Sequence, residues 1–193
     1  MNFENKIDFF KEELNLIIKG PVKEFIMSCL RMAPDYVFED CPSSATGKYH
    51  PVDELAGDGT IIHTKRCFTL AYELSRGLDC ENRRDEICGA AILHDMVKQG
   101  LTKSGFTTKD HPQLMAEIIT EIYNASFKES LAFDSYDIVR SAVFYHYGPW
   151  TLEKYRKPLA QYTMPELCLY LADYVASKRV IDVKYQRKEG FGI

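Results

Sequence analysis

The segment that most constrains this chain is an apolar run that carries two adjacent ionisable side chains, His94 and Asp95. The run extends from Ala90 to Val97, so it predicts a helix whose last turns present an imidazole and a carboxylate. Ionisable groups are costly to bury unless they are paired or bind a metal. The fold must therefore supply partners for both side chains from elsewhere in the sequence. The candidates are His63, His111, His146 and Asp173.

Length and charge narrow the classes of protein to consider. A chain of 193 residues is long enough for one hydrophobic core, and we predict one domain over 1–193. The net charge of -4 argues against an extended basic surface that binds nucleic acid. No apolar run reaches about 18 residues, so no membrane span is expected. The N-terminus shows no secretion signal, which predicts a cytoplasmic protein.

The cysteines indicate a reducing environment rather than a disulfide framework or a thiolate metal site. No C-x-x-C pair occurs, and most of the cysteines lie within apolar segments, where a thiol behaves as a small hydrophobe. We predict that all six are free and structural, as in a cytosolic protein. They are Cys29, Cys41, Cys67, Cys80, Cys88 and Cys168.

Apolar side chains recur at helical spacing along most of the chain, and no alternating pattern long enough for a strand is present. The sequence therefore predicts an all-α fold. Its parts are N-terminal helices in 1–33, a loop in 34–60, a helical core in 61–179 and a tail in 180–193. The predicted helices cover 3–18, 21–33, 61–76, 81–98, 111–123, 135–147 and 163–179.

The loop from Pro34 to Thr60 precedes the first candidate ligand, His63. A loop of this length in a compact domain is usually functional or disordered, and its aromatic residues favour an ordered one. We expect it to form one wall of a substrate pocket. The residues expected to contact substrate there are Lys48, Tyr49 and His50, with a structural loop histidine as the alternative for the last.

Four of the five histidines lie at ends of predicted helices, namely His63, His94, His111 and His146. Imidazole and carboxylate together suit iron, zinc, manganese, cobalt or nickel. Asp95 has two carboxylate oxygens, so it can bridge two metals. One metal would then take His63, His94 and Asp173, and the other His111 and His146. Two metals about 3.5–4 Å apart can hold a bridging hydroxide and neutralise a phosphoryl transition state.

The ordered series H…HD…H…H…D resembles the pattern of the HD-domain superfamily of metal-dependent phosphohydrolases, over 48–179. The two further histidines, His111 and His146, are similar to those of its two-metal branch. The resemblance implies a helical HD-domain bundle with two divalent transition metals, drawn from Fe, Mn, Ni, Co or Zn. The implied ligands are His63, His94, Asp95, His111, His146 and Asp173.

Other segments resemble particular branches of this superfamily. Lys98 completes an HD-x-x-K form, which implies a contact to phosphate or carboxylate and a catalytic role beside Asp95, with a solvated lysine at a helix end as the alternative. The segment 171–179 resembles the last helix of hydrolases that split diadenosine tetraphosphate symmetrically. This makes Arg179 a phosphate-binding candidate, with a surface arginine at a helix end as the alternative. The segment 48–64 instead resembles HD-type exoribonucleases. Lys65 and Arg66 are candidates to line a phosphate cleft, with a solvated helix face as the alternative.

The resemblance implies a hydrolase that cleaves a phosphate ester or anhydride of a nucleotide-type substrate with a metal-activated hydroxide. Its partners would be a small nucleotide, a phosphate ester or short RNA, and a homodimer stays open. Two alternatives remain, because each can use the same ligands: an HD-type di-iron oxygenase and a non-catalytic nucleotide-sensing module. The single tryptophan, Trp150, is interpreted as a core anchor rather than a ring that stacks on a base.

Overall fold

The computed structural model describes residues 3–44 and 46–179, and these ranges contain helices and turns but no β-strand. The predicted all-α fold is confirmed, while the predicted tail, 180–193, lies outside the described residues. Within the described ranges, no helix combines the length and the apolar character needed to span a membrane. The helices are α1 (Phe3–Asp8), α2 (Lys11–Leu16), α3 (Gly20–Met32), α4 (Tyr36–Glu39), α5 (Gly59–Gly77), α6 (Arg84–Leu93), α7 (His111–Ile122), α8 (Phe133–Tyr145) and α9 (Met164–Ala176).

Helix α6 lies at the centre of the bundle and packs against α3, α5, α8 and α9. Every side chain from Asp85 to Leu93 is buried, as expected for a helix that is surrounded by other helices. Gly89 allows α3 to approach closely, because a Cβ atom there would lie 2.7 Å from Cδ1 of Ile26. The apolar run thus forms part of the core, and its end carries His94 and Asp95 into the interior.

The end of α6 differs from the prediction, which continued this helix to Lys98. The helix ends at Leu93, and His94 is its C-cap. The turns that follow are held by the hydroxyl of Tyr36, which donates to the carbonyl of Gly100 at 2.7 Å and accepts from the N–H of Gln99 at 3.0 Å. Gly100 has φ +85°, a left-handed conformation that ends a helical path.

The N-terminal helix was predicted as one element over 3–18, but it is divided into α1 and α2. The break lies at Phe9 and Phe10, whose rings contact Phe38 of α4 with centroids 5.5 and 6.5 Å away. A straight helix places neighbouring residues about 100° apart, so the turn lets both rings reach the same aromatic partner.

The loop before α5 is ordered over the residues that the structure describes, 34–44 and 46–58, as predicted. It contains α4 and a short 3-10 helix, Val52–Leu55. Backbone hydrogen bonds close it onto itself: the N–H of Ser43 donates to the carbonyl of Glu54, and the N–H of Thr60 donates to the carbonyl of Cys41. All six cysteines are free and buried, which agrees with the predicted structural role.

Candidate metal centre

His94 is held by the free carbonyls at the end of α6. The last four carbonyls of a helix have no partner within the helix, and Ala91 accepts a 2.7 Å hydrogen bond from Nδ1 of His94. A neutral imidazole carries one N–H, so this bond leaves the lone pair on Nε2. Nε2 of His94 is buried and has no hydrogen-bond partner among the described residues.

Two further histidines are fixed in the same way. His146 caps α8 and donates from Nδ1 to the carbonyl of Val143 at 2.7 Å. His111 begins α7 and donates from Nδ1 to the carbonyl of Thr108 at 2.6 Å. Burial lowers the pKa of His111, which favours its neutral form. The Nε2 atoms of His111 and His146 lie 3.1 Å apart, so two lone pairs face each other.

Asp95 lies between these histidines and a second group. Its Oδ1 atom is 3.1 Å from Nε2 of His111 and 3.8 Å from Nε2 of His146. Its Oδ2 atom is 3.5 Å from Nε2 of His94 and 3.9 Å from Nε2 of His63. The two oxygens of one carboxylate therefore face two different pairs of imidazoles.

Helices α5 and α9 complete the second group. Oδ1 of Asp173, on α9, is 2.9 Å from Nε2 of His63 and 3.9 Å from Nε2 of His94. His63 is the fifth residue of α5. Burial by itself would lower the pKa of His63, but the carboxylates of Asp173 and Glu54 raise it to about 9.

The residues present fit a metal centre. Imidazole lone pairs and carboxylate oxygens converge here, and such acceptors repel one another unless a cation lies between them. Metal-binding histidines typically donate their other ring N–H to a carbonyl or carboxylate, as His94, His111 and His146 do. Ligand atoms lie within 4.8 Å of one another in two groups: His63, His94 and Asp173, and His94, Asp95 and His146.

Lys98 supplies positive charge at the edge of this cluster. It is buried, and its ammonium group donates to Oδ2 of Asp95. Burial by itself would lower the pKa of Lys98, but the carboxylate of Asp95 raises it above its ordinary value. The lysine is therefore protonated and contacts a carboxylate, which is one of the two roles that the sequence suggested.

A cavity of about 460 Å³ opens above the cluster, with Asp95, Lys98 and Asp173 in its wall. This volume lies within the usual range of small-molecule sites. The loop before α5 contributes one wall, as predicted, through Ser43, Ser44, Tyr49 and His50. The other lining residues are Thr107, Tyr147, Trp150, Tyr174, Ser177 and Lys178.

The interpretation of Trp150 as a core anchor is wrong. Its side chain is 47% exposed and lies in the cavity wall, stacked on Tyr174 with an interplanar angle of 17°. The short 3-10 turn Gly148–Trp150 follows α8 directly, so this ring is carried to the cavity mouth rather than into the bundle. Lys178 adds a cation here, with Nζ 3.9 Å from the ring centroid of Tyr174 and 5.4 Å from that of Tyr49.

Four residues expected to contact substrate do not line the cavity. Lys65 is paired with Glu13, and Arg66 is paired with Asp53 and Glu54. Both line a separate surface depression on α5, beside Thr69, which agrees with the alternative of a solvated helix face. Their predicted substrate role has no support from their position.

Lys48 and Arg179 are near the cavity without lining it. Nζ of Lys48 lies 5.1 Å from the ring centroid of Tyr49. The N–H of Arg179 donates to the carbonyl of Tyr49, and its neighbour Lys178 is the residue that reaches the cavity. The predicted phosphate contact of Arg179 stays a prediction, and Lys178 is a second cation at the same end of the chain's last helix.

Sequence reasoning missed Glu54, which contacts both His50 and His63. Nothing in its local pattern distinguishes it from a solvated acidic residue, since Asp53 precedes it. Tyr174, in the last turn of α9, and Lys178, two residues beyond its end, were also missed as cavity residues.

Comparisons with known proteins agree with this geometry. A model of the HD-domain family matches residues 60–178, which is more than half of the chain and includes every candidate ligand. The comparisons with curated proteins and with solved structures gave no match. On the family match, the chain belongs to the HD-domain family, whose members are typically metal-dependent phosphohydrolases.

Proposed function

We propose that this protein hydrolyses a phosphate ester or anhydride of a nucleotide-type substrate, with two divalent transition metals at the base of the cavity. The observation that carries the proposal is the arrangement around Asp95. Two groups of buried acceptors meet at its two oxygens, and the cavity above them carries lysine ammonium groups and aromatic rings.

The proposed metal ligands divide at Asp95. His63, His94, Asp173 and Oδ2 of Asp95 would hold one metal, and His111, His146 and Oδ1 of Asp95 the other. Metals bound at these positions supply Lewis acidity toward phosphoryl oxygens and lower the pKa of water to about 7. The donor set of imidazole nitrogens and carboxylate oxygens suits Fe, Mn, Co, Ni or Zn.

Two lysines of the chain can position the substrate and neutralise its negative charge. Lys98 is protonated, lies in the cavity wall and can attract a phosphate oxygen beside Asp95. Lys178 offers a second ammonium group farther out, between the rings of Tyr49 and Tyr174. Two cations along one wall fit a substrate with more than one negative charge.

The aromatic wall supports a substrate that carries a base. Trp150 and Tyr174 are stacked on each other and are 47% and 40% exposed, so a planar group can add to their stack. Because exposed stacked rings and lysines lie in the same wall, we infer a ligand with a planar end and an anionic end. The free cysteines agree with a cytoplasmic protein, which we retain as a proposal.

A substrate screen tests the proposal. Anaerobically purified protein would be incubated with Mn²⁺, Co²⁺, Ni²⁺ or Fe²⁺ and a panel of nucleotides, dinucleoside polyphosphates and short RNA. We expect cleavage of at least one phosphate substrate that requires metal and is lost in Asp95→Ala. Asp85→Ala is the matched control, because Asp85 is a buried carboxylate outside the cavity that accepts hydrogen bonds from the backbone N–H groups of Ile18 and Lys19.

The same samples separate the alternatives. Oxygen consumption with the iron-loaded protein and no phosphate cleavage would indicate the oxygenase. Nucleotide binding without turnover, with every metal, would indicate the sensing module.

A further inference from the structure

Glu54 is a buried carboxylate that joins the substrate wall to the metal centre. It lies on the 3-10 helix Val52–Leu55 and is 0% exposed. Oε2 is 2.7 Å from Nδ1 of His50 and 3.3 Å from Nδ1 of His63, and Oε1 accepts a 2.6 Å hydrogen bond from Arg66. Burial alone would raise the pKa of Glu54, but these partners lower it to about 2, so the side chain is ionised.

Nδ1 of His63 has no backbone carbonyl within the described part of the chain to accept its proton, unlike Nδ1 of the other three candidate histidine ligands. Among the described residues, Nδ1 of His94, His111 and His146 each donates to the carbonyl three positions earlier. His94 and His146 follow the last residues of their helices, where such carbonyls are free, and the carbonyl that His111 uses belongs to Thr108 in the loop before α7. His63 lies inside α5, and the carbonyl three positions earlier belongs to Thr60, within the same helix. That carbonyl bonds along the helix and is not available.

Glu54 is the carboxylate that faces this nitrogen. Nδ1 of His63 is buried and makes no hydrogen bond among the described residues, and Oε2 of Glu54 lies 3.3 Å away, at an ion-pair distance. Nε2 of His63 faces Asp173 and Asp95. A carboxylate behind a ligating histidine fixes which ring nitrogen carries the proton and how the ring is turned.

The same residues could instead be read as a third cation site, because His50, Glu54 and His63 have ligand atoms within 4.8 Å of one another. Two contacts argue against that interpretation. The guanidinium group of Arg66 already brings positive charge to Glu54, and His50 bonds the same oxygen that faces His63. A further cation would be repelled by Arg66 and would compete with both histidine contacts.

We propose that Glu54 is a positioning residue: it holds His63 with Nδ1 toward the loop and Nε2 toward the metal, and it ties this ligand to His50 in the substrate wall. The inference rests on the proposed metal centre. It implies that the loop before α5 contributes to metal affinity as well as to substrate binding, although it holds no metal ligand itself.

The test compares Glu54→Gln with Asp53→Asn. Asp53 lies on the same 3-10 helix and binds the same Arg66, but its side chain is 54% exposed and its oxygens bond that arginine. Mn²⁺ and Zn²⁺ affinities would be measured by competition with a chromogenic chelator, with circular dichroism and thermal melting of each metal-free variant as the check on folding. We expect Glu54→Gln to weaken one metal equivalent about 10- to 100-fold and Asp53→Asn to leave both unchanged.

The outcomes are separable from those of the hydrolysis screen. Wild-type affinity in Glu54→Gln would overturn the positioning role even if the protein is an active hydrolase. Three metal equivalents in wild type and two in His50→Ala would replace it with the third cation site. Failure of the wild type to bind metal would overturn both proposals. Affinity is read without substrate, so a protein that binds metal but cleaves nothing still tests Glu54.

A second measurement does not depend on a Glu54 variant. Long-range ¹H–¹⁵N spectra of the Zn²⁺-loaded form report which nitrogen of each histidine carries the proton. We expect the Nδ1–H tautomer for His63, assigned by its loss in His63→Gln. Zn²⁺ on Nδ1 of His63, or an Nε2–H tautomer, would contradict the role of Glu54 whatever the variants do.

Discussion

Replacing Asp95 by alanine should have two separable effects, one on stability and one on metal binding. The side chains of Asp95 and Lys98 are both buried and form an ion pair. Removing the carboxylate leaves the ammonium group of Lys98 without its partner in the interior, which costs about 3–5 kcal/mol. With an m-value of about 2 kcal/mol per M, the midpoint of urea unfolding of the metal-free protein would fall by about 1.5–2.5 M.

The loss of metal should not follow from the loss of stability. Asp95→Ala removes both oxygens that face the imidazole pairs, so it should retain no tightly bound metal. The double variant Asp95→Ala/Lys98→Met also removes the unpaired ammonium group. It should recover most of the urea midpoint and none of the metal, because replacing a buried ion pair by apolar groups is often close to neutral.

Asp85→Ala is the complementary control, because it should lower stability without changing metal binding. Its carboxylate accepts backbone hydrogen bonds of 3.0 and 2.7 Å, and leaving those donors unpaired costs about 1–3 kcal/mol. We expect a lower urea midpoint with full metal content and metal-dependent turnover. Elemental analysis after anaerobic loading and gel filtration gives the metal content of all four proteins. Full metal and activity in Asp95→Ala would refute the reasoning, and so would metal loss in Asp85→Ala equal to that in Asp95→Ala.

Three further predictions concern metal number and the substrate walls. His111→Ala and His146→Ala should each lower the metal content from two per chain to one by elemental analysis; an unchanged value in both would exclude the two-metal arrangement. His50→Ala should raise KM in steady-state kinetics with little change in kcat, since its ring lines the cavity above the ligands; wild-type kinetics would assign it a structural role. Trp150→Ala or Tyr174→Ala should raise KM about 5- to 150-fold for substrates with a base, because stacking contributes about 1–3 kcal/mol; an equal rise for a phosphate substrate without a base would argue against stacking.

Residue spacing was sufficient to predict the helices and the ligand series, because both depend on local patterns. The run around His94 predicted a buried helix, and α6 is buried along almost its whole length. The end of that helix was not predictable in the same way. It depends on the hydroxyl of Tyr36, which lies 63 residues from Gln99 and holds the following turn. Local pattern carries no information about such a contact.

The residues that line the substrate wall were likewise not predictable from local sequence pattern. Lys65 and Arg66 follow His63 closely in sequence, but their charged groups pair with Glu13, Asp53 and Glu54 and do not line the cavity. Lys178 reaches the cavity because the chain just after α9 lies against the loop before α5, where Arg179 bonds Tyr49. Glu54 gains its importance only where that loop meets His63, and nothing in its immediate sequence marks it.

The most direct test of the central claim is a crystal structure of the Mn²⁺- or Fe²⁺-loaded protein with anomalous data collected at the metal edge. We predict two anomalous peaks about 3.5–4 Å apart, one on the Oδ2 side of Asp95 with His63, His94 and Asp173, and one on the Oδ1 side with His111 and His146. A single peak would contradict the two-metal arrangement. Anomalous peaks at other positions would contradict the metal centre itself. The absence of any peak among these side chains, in protein that hydrolyses its substrate at full rate, would also contradict it.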